Sequence, residues 1–281
     1  MTTFTTTTNV KGISPDVISQ LLVLPVEAAS IAIQASTLIP TDATRTHIPL
    51  VTGDPSAAWV AEGAEIGESD PSIDDVVAVP AKIAGLSIIT NELAADTSPQ
   101  AAQIVGDGLA RDIAKKIDLA FFGSKGADTV KPAGLEDLTG VTDVVAPAAW
   151  ANLDPFAEAI YNAEGLGLDV NTFVANPADA LILAQLKAAT GSNLPLLGAD
   201  PANPTKRTLQ GVRLLVSEGV TAGTVWGIPK VRSIIVRRND VDLQTDKSAY
   251  FTSDRTAIRA TMRVTFAFPH AAAIQKIKLA A

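Results

Sequence analysis

Apolar residues recur at every fourth position in Ala101, Val105, Leu109, Ile113, Ile117 and Phe121, joined by Ile104 and Ala120, a period that predicts an amphipathic helix. Ser98-Pro99 is a start signal and Gly123 a stop, so the helix runs from Ser98 to Phe122, about 36 Å at 1.5 Å per residue. A helix of that length can serve as a spine along which a flat subunit is built. Arg111, Lys115 and Lys116 fall on its polar side.

Elsewhere the period is two. In Ile258 to Phe268, Arg259, Thr261, Arg263 and Thr265 alternate with Met262, Val264, Phe266 and Phe268, which predicts a strand with one wet and one buried face. Thr46 to Val51 reads as a strand. The alternation of Val77, Val79, Ala81 and Ile83 reads as a strand returning from a long excursion, with its tip near Gly63 to Asp70. From Val26 to Leu38 the apolar residues are too dense to assign. Ser14-Pro15-Asp16 can open a short helix through Leu22, and the Thr-rich arm before it, with little to bury, is expected to be mobile or draped over a neighbour.

After Trp150 helices and strands alternate, as in a second domain. Asp154-Pro155 starts a helix through Glu164, Asn171 to Ala175 is a short strand, and Asn176-Pro177 starts a helix through Lys187. Irregular Gly-, Asn- and Pro-rich loops from Gly191 to Pro204 suit a place where copies converge around an axis. Strands are predicted at Val212 to Ser217, Thr224 to Ile228 and Ser233 to Arg237.

Charge changes this picture. Between Arg45 and Lys82 there is no Lys or Arg, while Asp54, Glu62, Glu65, Glu68, Asp70, Asp74 and Asp75 all occur, so the excursion should stand away from the body unless a basic partner meets it. From Lys230 to Lys278 ten basic residues face four acidic ones, a local surplus of six. An acidic projection and a basic body are complementary in a head-to-tail sense, and contacts of that kind propagate until a ring or shell closes.

At 281 residues with 47% apolar content the chain can bury ample core, and its 19% charged fraction, below the usual quarter, fits a surface partly covered by other subunits. A net charge of −8 argues against a broad grip on nucleic acid. The absence of cysteine excludes disulfides, thiolate metal sites and cysteine nucleophiles. No run is long enough for a membrane-spanning helix, and no signal peptide is recognisable, so the expected place of synthesis is a cytoplasm. His47 and His270 lie far apart beside apolar or small residues, and no HExxH, GxSxG, Walker or GxGxxG pattern occurs. Glu62, Glu65 and Glu68 lack the ligand spacing of a calcium loop. The expectation is no enzyme, no cofactor and no metal; a soluble α+β hydrolase using some carboxylate pair is the alternative of another class.

The phrases Trp59-Val60-Ala61-Glu62-Gly63, Glu68-Ser69, Pro80-Ala81-Lys82 and Ile88 to Asp96 occur in an order that resembles tailed-phage major capsid proteins of the Hong Kong 97-type fold. Ile117 to Gly123, Pro132-Ala133-Gly134-Leu135, Thr208 to Val212 and the Arg259 to Phe268 strand continue the likeness over nearly the whole chain beyond the first dozen residues.

The resemblance implies an α+β subunit: an N-terminal arm and leading segment (1–53), an extended β-hairpin loop (54–80), a peripheral domain with the spine helix (81–145), an axial α/β domain (146–231) and C-terminal strands of the peripheral domain (232–281). It implies pentamers and hexamers closing an icosahedral shell around double-stranded DNA without sequence-specific binding. The expected location is the virion capsid, assembled in the host bacterial cytoplasm. Expected partners are other copies, a separate scaffold, a portal and decoration proteins, with no membrane. An encapsulin-like compartment around a cargo enzyme is the alternative within the fold. The acidic side of the contact between copies would be Trp59, Glu62, Glu65, Glu68, Asp70, Asp74 and Asp75; the basic side would be Arg111, Lys115, Arg237, Arg238, Arg259 and Arg263. Some relatives have a long N-terminal scaffolding segment that a protease removes; here only about a dozen residues precede the recognisable part, and Met1 favours a separate scaffold. Others join subunits by a Lys–Asn isopeptide bond, but the loop has no lysine before Lys82, so no such crosslink is expected.

Overall fold

The computed structural model describes residues 26, 29–53, 57–61, 63, 65, 67–70, 72–91, 100–189, 191–197, 207–246 and 248–280. The helix expected from Ser14 to Leu22 lies outside them, as do Glu62, the Ser98-Pro99 start signal and much of the 191–204 loop.

In chain order the elements are α1 (Ile31–Ala35), β1 (Thr37–Thr41), β2 (Thr46–Gly53), β3 (Ser72–Ala78), β4 (Ala81–Thr90), α2 (Gln100–Phe122), β5 (Thr142–Ala146), α3 (Asp154–Glu164), β6 (Thr172–Ala175), α4 (Pro177–Gln185), β7 (Thr208–Leu209), β8 (Val212–Val216), β9 (Thr224–Ile228), β10 (Ile234–Asp246), β11 (Arg255–Ala267) and β12 (Gln275–Leu279). They build a four-stranded sheet in the order β1-β10-β11-β4, a six-stranded sheet in the order β5-β12-β9-β6-β8-β7, and a two-stranded ribbon of β2 and β3.

The fourth-residue repeat on α2 becomes its buried stripe: Ala110, Ile113, Ala114, Ile117 and Phe121 pack on Ile258, Ala260, Met262, Val264 and Phe266 of β11. Phe121 meets Phe122 and Phe266 edge to face, with ring centroids 4.9 Å and 5.1 Å away. The same core takes in Val174, Leu215, Trp226 and Ile228 from one face of the six-stranded sheet. The other face of that sheet holds a second core with Phe156, Ala159 and Ala163 of α3 and Ala180 and Leu183 of α4.

Two proline-led helices begin where expected. Pro155 and Pro177 occupy first-turn positions, and the Asn176 side chain accepts the Ala178 N–H as an N-cap. Within the six-stranded layer, buried Asp179 accepts Trp150 Nε1 at 2.8 Å and Gly223 N at 2.7 Å. One carboxylate thereby ties α4 to the segment before α3 and to the β8–β9 turn.

Several expectations need correction. The strand foreseen through Val77, Val79, Ala81 and Ile83 is broken at Val79-Pro80, because proline lacks the N–H that a continuous ladder requires. Ser72–Ala78 pairs with β2, whereas Ala81–Thr90 joins β11 in the four-stranded sheet. Thr265, expected on the wet face of β11, is buried, since Ile48 and Ala78 at the ribbon's root cover Ile234, Val236 and Ala267 on that face. The strand expected at Ser233 to Arg237 continues to Asp246, α4 stops at Gln185, and Lys187 instead bridges to Pro195. Gln275–Leu279 lies between β5 and β9 in the six-stranded sheet, away from β10 and β11.

Candidate assembly surface

The ribbon carries the acidic segment outward. Its register runs from Thr46↔Ala78 at the root to Gly53↔Ser72, so the seven or eight residues of each strand reach about 25 Å before the tip segment begins. Among the ribbon side chains described, only Ile48 and Ala78 at the root are buried. On the ribbon, Asp75 binds His47 Nδ1 and Asp74 accepts the N–H of Asp75, so both carboxylates have local partners. Among the described tip residues, Trp59 is wholly exposed, and Glu65, Glu68 and Asp70 are exposed and form no ion pair.

The expected basic residues divide between two faces. Arg111 and Lys115 are on α2. Lys115 Nζ lies 2.7 Å from Glu218 in the β8–β9 turn, and that hydrogen bond raises the lysine's pKa and lowers the glutamate's. Beside them Gly219 sits so close to α2 that a Cβ there would lie 2.7 Å from the Asp118 carbonyl oxygen. Lys115 thus has a partner within its own chain, where it helps seat this turn on the helix.

Arg238, Arg259 and Arg263 occupy the other face of the four-stranded sheet, opposite the α2 core. Arg237 alternates to the core side of β10, next to Ile235, which packs in the α2 core. Arg259 donates to Gln244 across the β10–β11 pair. Arg238 stands opposite Arg263, and Arg263 stands opposite Lys82. The three cations therefore form one rung across three strands. Sequence reasoning missed Lys82, because the alternation of β4 fixes which face a residue takes but not which residue of β11 lies beside it.

Two anchors hold β4 and the end of α2 in place. Asn91, at the end of β4, donates through Nδ2 to Asp254 Oδ1 at 2.6 Å and accepts the Thr256 hydroxyl, which fastens β4 to the β10–β11 turn. At the C-terminal end of α2, Gly134 lies so near the helix that a Cβ would fall 2.2 Å from the Gly123 carbonyl oxygen and 2.3 Å from that of Ala120. Asp137 holds the turn: it accepts the Ser124 hydroxyl, then the N–H groups of Lys125 and Gly134, and these bonds keep its carboxyl below the usual range.

The deepest polar contact is Asp118. It accepts Ser30 Oγ at 2.7 Å, Ala32 N at 2.9 Å and Ile31 N at 3.1 Å, and so caps α1 from α2. Burial pushes its pKa up, against the pull of these three donors. Among the described residues no group of three or more His, Cys, Asp or Glu side chains could hold a metal ion, and no helix is long and apolar enough to cross a membrane.

Residues 12–279 match the model of the phage capsid family. Similar solved structures include the capsid of a native GTA particle, at 21% identity, with 88% of this chain and 89% of that chain covered and a TM-score of 0.70. Chains of Microbacterium phage Oxtober96 and Mycobacterium phage Bobi each share 19% identity, cover 90% of this chain and 91% of their own, and give TM-scores of 0.70. No curated protein matches the sequence.

Proposed function

Because the chain belongs to the phage capsid family, and is therefore a structural, non-enzymatic subunit of a virion shell, we propose that it closes an icosahedral capsid as pentamers and hexamers around double-stranded DNA. The match over residues 12–279 carries this reading. The surface supports it: one end of the chain projects exposed carboxylates and a bare indole, while the sheet far from that tip carries cations in register. Among the described residues, Glu65, Glu68 and Asp70 at the tip and Arg238, Arg263 and Lys82 on the sheet form no ion pair within one copy, as head-to-tail contacts between copies require.

The mechanism is multivalent. Contacts from loop, arm and axial loops are each modest, but each one formed raises the effective concentration for the next, so the closed shell is far more stable than any pair. Scaffold, portal and decoration proteins complete the particle, and assembly takes place in the host bacterial cytoplasm before DNA is packaged. The shell encloses DNA as cargo, which agrees with a net charge of −8.

Purified chain, with its scaffold if one is needed, should form shells visible by electron microscopy, and particles from the native source should protect long double-stranded DNA from nuclease. Particles enclosing a protein cargo and no DNA would favour an encapsulin-like compartment instead. Reversing Glu62, Glu65 and Glu68 to Lys should block assembly and leave a folded monomer, because the change acts across an interface. Normal shells from that variant would refute the role given to the acidic loop.

A further inference from the structure

The spine helix α2 has one uncovered apolar flank. A groove of about 460 Å³ runs between it and the edge strand β4, lined by Leu109 and Leu119 of α2, Ile83 of β4, Phe266 of β11 and Val130 from the segment that follows the helix. Ile83 and Leu109 are half-buried, whereas Val130 is 69% and Leu119 37% exposed. Val130 is held in that position. Asp128 accepts the N–H groups of Val130 and Lys131 at 2.9 and 3.3 Å, and Lys131 Nζ donates to the Ser124 carbonyl oxygen at 2.8 Å. The outer wall is thus pinned with its apolar side chain facing out.

The residues from Ile13 to Leu24 offer a matching shape. They lie outside the described residues, but their sequence is amphipathic: a helix begun at Ser14-Pro15-Asp16 puts Val17, Ile18, Leu21 and Leu22 on one face and Asp16, Ser19 and Gln20 on the other. So short a helix does not hold in water alone, and its apolar stripe needs a surface. Reach selects that surface. Val26 is 1% exposed and packs in the α2 core, so the chain is anchored just after Pro25. Ala29 and Leu119 line a shallow pocket on the flank of α2, and Leu119 also lines the groove, so a single side chain separates the leading segment from it. From Val26 back to Leu22 the chain reaches about 14 Å, more than the width of α2, about 10–12 Å.

We propose that residues 13–24 dock as a helix in this groove of their own chain, with Val17, Ile18, Leu21 and Leu22 against Leu109, Leu119 and Val130. The inference goes beyond the shell reading and concerns the subunit before it meets another copy. Covering the groove hides an apolar surface beside an open strand edge, the kind of surface through which free subunits would otherwise associate without order.

The chain has no cysteine, so paired substitutions read the contact directly. In the unassembled full-length chain, Leu21→Cys with Val130→Cys should be joined within one chain by a short bismaleimide. Leu21→Cys with Tyr161→Cys should not be, because Tyr161 is exposed on α3, across the six-stranded sheet from α2. Hydrogen exchange should show the amides of residues 17–22 protected roughly tenfold or more over unstructured chain. Val130→Asp, an exposed change that spares the core, should abolish that protection while the amides of α2 keep theirs. Unprotected amides over residues 17–22 in wild type would overturn the proposal, as would protection that survives Val130→Asp, or crosslinking at Tyr161 equal to that at Val130. Crosslinked dimers in place of the intrachain product would also overturn it and assign the groove to the leading segment of a second copy. Each of these outcomes is read before assembly and leaves the shell reading standing; that reading fails separately, if wild-type chain forms no shell and particles from its source lack it.

Discussion

Asp118→Ala tests whether the leading segment is held to the spine by one buried carboxylate. The substitution removes the acceptor of three donors, of which the Ser30 hydroxyl and the Ala32 N–H are wholly buried. Hydrogen bonds to a charged acceptor contribute about 1.5–3 kcal/mol each, and the removed carboxylate no longer has to be desolvated. The net loss should be about 3 kcal/mol, or a melting temperature lower by roughly 10 °C in a domain of this size. Asp118→Asn separates acceptor from charge. Its oxygen can still accept from Ser30 Oγ and Ala32 N, while the Ile31 N–H loses its partner, so the cost should be about 1 kcal/mol. The pH dependence has a definite sign. The folded pKa is raised, so the folded chain keeps this proton longer than the unfolded chain does, and wild type loses stability as pH rises through the interval between the two values. Asparagine does not titrate, so the deficit of Asp118→Asn should shrink from acid to neutral pH. Urea denaturation of the unassembled chain at several pH values measures both. A wild-type midpoint for Asp118→Ala, or a deficit for Asp118→Asn that grows with pH, would refute the reasoning.

Gly134→Ala forces a Cβ onto backbone carbonyl oxygens that no side-chain rotation can move, and should cost roughly 3 kcal/mol in thermal denaturation; an unchanged melting temperature would show that the turn can lift from the helix freely. Lys276 Nζ lies 2.6 Å from Glu136, with both side chains about 20% exposed, and stands over the Trp226 ring at 5.1 Å. Lys276→Ala should cost about 2 kcal/mol, and a double-mutant cycle with Glu136→Gln should give a coupling that independent contributions would lack. Asp137 has the sign opposite to Asp118: its folded pKa is lowered, so its contribution is present at neutral pH and is lost as pH falls through a value below the usual carboxylate range. Asp137→Asn should therefore flatten the acid limb of the stability profile, and an unaltered limb would argue against the Ser124 and Lys125 bonds.

What the sequence made legible was whatever depends on near neighbours. The fourth-residue repeat located α2, the proline-led starts located α3 and α4, and the apolar run Thr224–Ile228 emerged as a strand buried at every position. Pairing over long sequence separations was not legible. Thr265 has the same alternation as Arg263, yet a ribbon more than 180 positions earlier in the chain covers one and leaves the other exposed. The last strand inserts beside β5, whose residues lie about 130 positions earlier. Asp118 looked like one polar position in an apolar phrase, since nothing local reveals that Ser30 and the first N–H groups of α1 come to rest on it. For the same reason Arg238 and Arg263 were foreseen as basic, but not as two members of a rung completed by Lys82.

The rung is a local conflict in an otherwise consistent fold. The four-stranded sheet could have placed a carboxylate on β4 opposite Arg263, and the single chain would then be less strained by like charge. On the proposed head-to-tail contact, it would also have filled the place left for a second copy's carboxylates. A surface that is mildly unfavourable alone and favourable only on contact converts the whole difference into drive for association, since binding removes repulsion as well as adding attraction. Salt should accordingly act in two directions on one set of residues. Screening relieves the repulsion within the rung and so favours the isolated fold, while it weakens the attraction between rung and loop and so disfavours the shell. Chains joined mainly through apolar burial would show neither the opposition nor its loss in Lys82→Glu.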